Sequence, residues 1–401
     1  MKRLLLLLPV LLLLAACGGG DSETVANGND RPAVDDAPGA VSQDVRMLGV
    51  EPILMQSFEG GIQTTTGPNG AVLHAWTALT SEGFRTSAVT LNGDAWAPLD
   101  DLTGAHAVSY AFDVDGAPVA LVRQRDEDGY TTALDAVRWD GASWAPLGTP
   151  VTDFLGIVDI PDVIPSLGLA GSTLVSVFAG NSFTTGEAGL YAVAFDGTQW
   201  RPLGRGPFHP SIELDDFKLI MDPAGQPVVM VAPTTDFPNT MLAYRWNGTA
   251  WREQPTYRAG GDQAGFSVIV DALATENGIV AIFASGTEDP ILLQLRGSSW
   301  GRIPLLGDPL DLARDREGNP LVMVPDAPLE TNLFVYEDAD LLTLDGELVL
   351  QLAMDGSPLR VTNGSDDAIY ALSVPGGMVS TESRSALIFR FGLPSPTVEQ
   401  E

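Results

Sequence analysis

The chain has 401 residues, of which 45% are hydrophobic, and its formal net charge is −31 at pH 7. With lysine only at positions 2 and 218, this negative charge disfavours nucleic acid and anionic membrane surfaces as partners. The single cysteine excludes disulfide bonds within the chain, and about 350 residues suffice to bury a core without them.

The first 16 residues have the features of a secretory signal peptide. Two basic residues at positions 2 and 3 precede an apolar run over 4–14, and two alanines follow. As a helix, this run would rise about 16 Å, about half of the hydrocarbon core of a bilayer. Residues 1–16 are therefore predicted to be a cleaved signal peptide and not a transmembrane anchor.

Cys17 follows Leu-Ala-Ala directly. This stretch resembles the lipobox of bacterial lipoproteins, which implies that Cys17 becomes the lipid-modified first residue of the mature protein. The resemblance implies a location in the cell envelope, where the lipid is the chain's membrane contact. Gly18 stands where an inner-membrane retention signal usually has aspartate, which favours the outer membrane in a cell with two membranes.

Residues 17–45 are predicted to be a disordered tether behind the lipid. The stretch 18–45 contains no aromatic residue and is rich in Gly, Asp, Asn and Ser. Such a composition cannot bury enough apolar surface to offset the entropy lost on ordering. The folded part is expected to span residues 46–392, and residues 393–401 form a short C-terminal tail.

A repeat runs through the folded part. Near-copies of one hairpin sequence are WDGASWAPL at 139–147 and FDGTQWRPL at 195–203. The anchor glycines of the copies stand at 93, 141, 197, 248 and 297, and weaker copies follow at 346 and 392. Trp96, Trp144, Trp200, Trp251 and Trp300 each stand three residues after an anchor glycine. A unit repeated at this spacing indicates a structural module that buries its apolar face against its neighbours.

Each unit of about 50 residues reads as four antiparallel strands. A strand, a Gly-containing turn and a second strand are followed by a longer loop, a third strand and a fourth strand that carries the tryptophan. The Asp-Gly and Asn-Gly motifs before that tryptophan predict tight hairpins in which both central residues have positive φ. The predicted fold class is all-β, a single β-propeller with seven four-stranded blades; six or eight blades remain alternatives because the last two units are degenerate.

Closure of the ring is expected to involve both ends of the folded part. The seventh unit stops at Gly392 without an outer strand, and the segment 46–55 precedes the first unit without a partner. Residues 48–55 are therefore predicted to pair with residues 384–391. The tryptophan of each hairpin, Trp144 for example, is expected to pack between neighbouring blades.

The repeats resemble those of kelch-like and Asp-box-like propellers of secreted bacterial proteins. The resemblance covers residues 46–392 and implies the fold, not an activity. In the Asp-box of sialidases, one residue separates the aspartate from the glycine, whereas Asp140 and Asp196 precede their glycines directly. No sialidase activity is implied.

The long, irregular loops are predicted to share one face, opposite the tight turns, around the mouth of the central channel. Binding residues in repeat scaffolds sit on such loops. We therefore select four candidate binding residues: Asp159 and Asp162 in the loop 152–166, His209 in the loop 205–216, and Tyr257. His74 lies within an apolar strand and is expected to be a packing residue.

The sequence shows no pattern typical of a catalytic or transition-metal site. The three histidines are scattered, and no G-x-S-x-G motif is present. Two acidic loops could supply oxygen ligands to calcium, one with Asp126, Glu127 and Asp128 and one with Asp153, Asp159 and Asp162. The first lacks the spacing of a calcium loop. We expect no cofactor, and the metal content stays open.

Three functions are compatible with these features. The first is a lipid-anchored, monomeric, non-catalytic scaffold that binds an envelope protein or a glycan through the long-loop face. The second is an envelope carbohydrate-active hydrolase or lyase with paired carboxylates at the channel mouth. The third is a spacer without a specific ligand. The lipobox, the tether and the lack of a catalytic motif favour the first.

Overall fold

The described part of the chain consists of β-strands and their connections. The computed structural model describes residues 62–68, 70–80, 83–92, 95–103, 106–126, 130–153, 156–161, 163–234, 239–259, 267–276, 278–285, 289–305, 307–315, 317–325, 338–353, 357–363, 368–374 and 387–392. These residues form 29 strands and no α-helix, and so contain no helix able to cross a membrane. The predicted all-β class is confirmed.

The strands form seven antiparallel sheets, each built from consecutive strands. The first four sheets consist of β1 (Ile62–Thr66), β2 (Val72–Thr80), β3 (Gly83–Asn92) and β4 (Ala95–Thr103); β5 (His106–Phe112), β6 (Pro118–Arg125), β7 (Thr131–Trp139) and β8 (Trp144–Pro146); β9 (Ile157–Asp159), β10 (Ser166–Ala170), β11 (Thr173–Ser182), β12 (Ala188–Phe195) and β13 (Trp200–Pro202); and β14 (Leu214–Met221), β15 (Pro227–Pro233), β16 (Thr240–Trp246), β17 (Trp251–Glu253) and β18 (Tyr257–Arg258).

Sheets 5 to 7 continue the same order. They consist of β19 (Ser267–Thr275), β20 (Gly278–Ser285), β21 (Ile291–Arg296) and β22 (Ser299–Ile303); β23 (Asp311–Arg314), β24 (Pro320–Pro325), β25 (Asp338–Thr343) and β26 (Leu348–Ala353); and β27 (Ser357–Asn363), β28 (Ala368–Val374) and β29 (Leu387–Gly392). Two short strands lie outside the four-strand path: β9 pairs with the end of β11, and β18 pairs with the start of β16.

The predicted count of seven four-stranded blades is corrected to six complete blades. Sheets 1 to 6 have at least four strands each, whereas sheet 7 has three within the described residues. The physical reason is the degenerate last repeat, in which the third strand ends at Gly392 and no outer strand follows within the described residues. The predicted closing segment 48–55 lies outside the described residues and stays a prediction.

The sheets are arranged side by side around a central axis. The first main strand of each sheet contacts that of the next, in the order β1, β5, β10, β14, β19, β23 and β27, and β27 contacts β1. The second strand of a sheet is buried on both sides, as in β15, where the apolar run Val228–Ala232 is fully buried. Continuous apolar runs are therefore favoured over alternation in these strands.

The hydrophobic core lies between the sheets. Sheets 2 and 3 share one buried cluster that contains Leu121, Phe178 and Trp200, and sheets 4 and 5 share another that contains Met230, Ile269 and Phe283. Similar clusters join the other described neighbours from sheet 1 to sheet 7. A single sheet therefore cannot bury its own apolar faces, which explains why the sequence repeats.

Near the axis, polar side chains of one first strand accept hydrogen bonds from the backbone of the next. The Oγ of Ser109 accepts from the backbone N–H of Leu167 at 2.9 Å. Aspartates take this role further along the chain, where Asp216 and Asp271 accept from the first strands of sheets 5 and 6 at 3.0 and 3.1 Å. These bonds satisfy carboxylates in partly buried surroundings and link neighbouring sheets.

At the outer edge, the repeated tryptophans link each sheet to the preceding one. The indole N–H of Trp144 donates to the backbone carbonyl of Asp100 at 2.8 Å, and that of Trp200 donates to Leu147 at 3.0 Å. Trp251 and Trp300 repeat the bond one and two sheets later, at 2.8 and 2.6 Å. The prediction that these tryptophans lie between neighbouring blades is confirmed for these four; the side chain of Trp96 lies outside the described residues.

Candidate functional site

The two ends of the strands carry different kinds of connection. In a sheet of consecutive antiparallel strands, the turns after the first and third strands lie at one end, here the turn face. The connections after the second and fourth strands, such as those after β6, β8, β11 and β13, lie at the other end, here the loop face. The four predicted binding residues belong to or border connections of the loop face.

The Asp-Gly motifs at 140–141 and 196–197 lie in four-residue turns, and the predicted positive φ at both central residues is wrong for them. Residues 140–143 connect β7 to β8, and Gly141 has positive φ (101°) but Asp140 does not. The Asp140 carboxylate accepts backbone N–H bonds from residues 143 and 142 at 2.8 and 2.9 Å. These bonds lower the pKa of Asp140. Asp196 and Asn247 make the same pair of bonds in the next two sheets, so these side chains hold the turns.

His209 is buried in the connection between sheets 3 and 4. Its backbone bridges Leu190 at the start of β12, and its Nδ1 lies 3.0 Å from the hydroxyl of Tyr244. Burial lowers the pKa of the His209 imidazole, so the ring stays neutral at physiological pH. The preceding Phe208 stacks on Trp251 with ring centroids 4.5 Å apart. This connection is packed onto the sheet below it.

Of the other three candidates, Tyr257 and Asp159 lie in the two short strands, β18 and β9, that belong to connections of the loop face. Tyr257 lies in β18, is half-buried, and packs edge-on against Phe283 of sheet 5. Asp159 ends β9 and pairs with Asn181 through the backbone. The side chain of Asp159 and all of Asp162 lie outside the described residues. The structure therefore does not bring the four side chains into one described site.

The loop face exposes three large apolar side chains on two neighbouring sheets. The exposed fractions are 71% for Tyr130, 39% for Ile164 and 82% for Phe183. We call these three residues the apolar patch. Among the described residues, two further large apolar side chains are exposed, Val114 and Leu348, and they stand singly in or beside turns of sheets 2 and 6 on the turn face. Scattered exposed apolar residues are ordinary on protein surfaces, whereas a grouped set marks an interaction site.

The connection between sheets 2 and 3 holds the apolar patch together. The guanidinium of Arg123, near the end of β6, donates to the carbonyl of Val163 at 2.8 Å, next to Ile164. The backbone N–H of Phe183 donates to the carbonyl of Gly156 in the same connection at 2.8 Å. One connection is thus tied to the sheet that carries Tyr130 and to the loop that carries Phe183.

Carboxylates border the apolar patch. Asp126, Asp153 and Glu187 are exposed and lie in the same three connections as the patch residues. The Asp126 carboxylate accepts the backbone N–H of Tyr130 at 2.8 Å, which fixes the end of that loop. The patch therefore combines apolar side chains with negative charge.

Carboxylates on the inner strands are the candidates for the acid and the base of the hydrolase or lyase alternative. Burial raises the pKa of Asp215, at the start of β14, although the carboxylate accepts the backbone N–H of Ser267 at 2.7 Å. The neighbouring Asp216 and the buried Asp311 likewise accept backbone N–H groups of the next sheet. Within the described residues, no group of three or more His, Cys, Asp and Glu side chains could hold a metal ion.

Comparison with known proteins gives structural similarity without sequence similarity. No family model matches the chain, and no curated protein matches it in sequence. The structure of BBS1N in complex with ARL6DN is 9% identical, has a TM-score of 0.50, and covers 89% of this chain and 98% of its own. The fold is a β-propeller. The β-propeller domain of the Trilobed protease from Pyrococcus furiosus is 13% identical with a TM-score of 0.49, covering 82% of this chain and 94% of its own. YCF48 bound to D1 peptide is 12% identical with a TM-score of 0.49, covering 88% of this chain and all of its own (100%).

Proposed function

We propose that this propeller is a non-catalytic scaffold that binds a partner protein through the apolar patch. The observation that carries the proposal is the exposure of Tyr130 and Phe183 on one face of two neighbouring sheets. Exposed aromatic side chains contribute most of the binding energy in many protein interfaces. The tied connection between sheets 2 and 3 supports the patch, so little backbone ordering accompanies binding.

The partner segment carries apolar side chains next to lysine or arginine. The exposed Asp126, Asp153 and Glu187 border the patch, and the whole chain has a net charge of −31. Such a surface attracts a basic segment over long distances and repels an acidic one.

The scaffold is held at the cell envelope by a lipid on Cys17, in the outer membrane of a cell with two membranes. Support for this comes from the lipobox-like sequence before Cys17 and the Gly18 that follows it. Residues 18–45 then act as a tether long enough to separate the propeller from the lipid. In this proposal the scaffold acts as a monomer.

We favour binding over hydrolysis or elimination because the inner-strand carboxylates already have structural partners. Asp216, Asp271 and Asp311 each accept a backbone N–H of the next first strand. A carboxylate that supports the scaffold in this way is poorly placed to exchange protons with a substrate.

Site-specific photo-crosslinking in intact envelopes tests the proposal. A photoreactive phenylalanine replaces Phe183 in the full-length protein, and a matched variant carries it at Val114 on the turn face, which is 52% exposed. We expect one protein adduct from position 183 and none of that species from position 114. Tyr130→Ser and Glu187→Gln should each reduce the adduct. Equal adducts from both positions, or no protein adduct from position 183, would refute the proposal.

A further inference from the structure

A cleft on the turn face lies between sheets 4 and 5, away from the apolar patch. Its volume is about 480 Å³, within the range of small-molecule sites. The turn from β14 to β15 forms one wall with Asp222, and the turn from β19 to β20 forms the other with Thr275 and Glu276. Arg245 and Gln254 of sheet 4 also line it.

An open ion pair stands in this cleft. The Nη1 of Arg245 lies 3.7 Å from the Oδ2 of Asp222, beyond hydrogen-bond distance. The Nε of Arg245 is buried and makes no hydrogen bond to any residue that the structure describes. Because the Nη1 of Arg245 makes no hydrogen bond to Asp222 and 37% of the side chain is exposed, a group bound in the cleft can accept a hydrogen bond from the guanidinium.

The repeat supplies an internal comparison. Asp113 and Arg138 occupy the same positions in sheet 2 as Asp222 and Arg245 in sheet 4, because both arginines directly precede the aromatic residue of the hairpin motif. In sheet 2 the Nε of Arg138 bonds directly to Asp113, and its Nη2 lies 3.3 Å from Asp115. Sheet 4 has Ala224 where sheet 2 has Asp115, so the second acceptor is missing. The arginine and the aspartate are therefore hydrogen-bonded in sheet 2 and not in sheet 4.

The chemistry of the cleft selects a neutral polyhydroxylated ligand. A hydroxyl group both donates and accepts, so two adjacent hydroxyls can bridge the guanidinium of Arg245 and the carboxylate of Asp222. The carboxylates of Asp222 and Glu276 repel an anion, and a wholly apolar ligand would leave Arg245 unsatisfied. Pro223 and Leu295 add apolar wall for the C–H face of a ring. We propose that this cleft binds a neutral sugar unit, and this site is independent of the function proposed for the loop face.

Saturation-transfer NMR and calorimetry on the full-length protein test the site. The probes are maltose, cellobiose and chitobiose, with N-acetylneuraminic acid and glucosamine as charged comparisons. We expect at least one neutral disaccharide to bind. Arg245→Gln should raise its dissociation constant about tenfold or more, because a hydrogen bond to a charged group is lost. Arg138→Gln, the same substitution in sheet 2, should leave the affinity unchanged.

Asp222→Asn is the second variant, since asparagine can still accept the backbone N–H of Gln226, which lies 2.8 Å from the Oδ1 of Asp222. This variant should fold normally, as judged by thermal unfolding, and should also bind the disaccharide more weakly than wild type does. Binding of glucosamine alone would show that the two carboxylates bind a cation, and would overturn the assignment. Failure of all three neutral disaccharides to bind, or an equal loss from Arg138→Gln, would also overturn it.

Discussion

Replacing Trp200 should destabilise the propeller more than replacing any other described tryptophan of the repeat. Trp200 is 2% exposed, packs on Phe195 at a ring distance of 5.3 Å, and donates to the carbonyl of Leu147. A buried indole hides about 200 Å², which corresponds to about 5 kcal/mol as an upper limit. Trp200→Ala should therefore lower the free energy of unfolding by about 3–5 kcal/mol.

Trp200→Phe separates the hydrogen bond from the packing. It keeps most of the aromatic surface but removes the indole N–H, so the expected loss is about 1–2 kcal/mol. Trp144→Ala is the matched comparison, because Trp144 makes the same bond but is only half-buried, and should cost about 2 kcal/mol. Urea unfolding followed by far-UV circular dichroism measures all three without using tryptophan fluorescence. A loss for Trp200→Ala no larger than that for Trp144→Ala would refute the argument from burial.

Three further predictions concern backbone geometry, pH and processing. Gly278→Ala should strongly destabilise the fold, because φ is +134° and a Cβ would lie 1.8 Å from the carbonyl oxygen of Leu295, whereas Gly141→Ala meets open space and should cost only about 1 kcal/mol in urea unfolding. Burial lowers the pKa of His74 from 6.5 to about 3, so the unfolded chain takes up the proton first and stability falls as the pH drops below 6.5. Wild type should lose about 2 kcal/mol more than His74→Gln between pH 7 and pH 5, and equal losses in denaturation curves would contradict this. Mass spectrometry of the envelope-bound protein should find a lipid on Cys17 and no residues 1–16, and an unmodified Cys17 would disprove the lipobox assignment.

The repeated hairpins could be predicted from sequence because their signals are local. Glycine with positive φ, the acceptor side chain before it and the tryptophan three residues later all fall within one short motif, as in residues 139–144. The prediction of positive φ at both residues of the Asp-Gly pair is wrong, because the pair also fits a four-residue turn in which only the glycine has positive φ. The carboxylate of Asp140 stabilises this longer turn by accepting two backbone N–H groups, and this depends on geometry that the sequence does not display.

The exposure of loop residues could not be predicted. Phe183 and Phe208 both lie in irregular connections of the loop face, yet Phe208 stacks on Trp251 whereas Phe183 is 82% exposed. The difference depends on whether the connection crosses an underlying aromatic side chain of the next sheet. The same long-range packing buries His209, which the sequence analysis selects as a binding residue. The apolar patch could not be predicted either, because no local sequence pattern distinguishes its exposed residues from buried ones.

The hydrogen bond from an indole N–H to a carbonyl of the preceding sheet also affects how the number of repeat units can change. Across sheets 1 to 5, donor and acceptor occupy fixed positions in the repeat, with the tryptophan as donor and a carbonyl three or four residues after the tryptophan position as acceptor for the next unit. A unit copied by tandem gene duplication therefore arrives with its own donor for the preceding unit and its own acceptor for the following one. No compensating substitution is needed at the new junction. The number of units can thus grow or shrink by recombination, while substitutions in the long connections give each copy a separate surface.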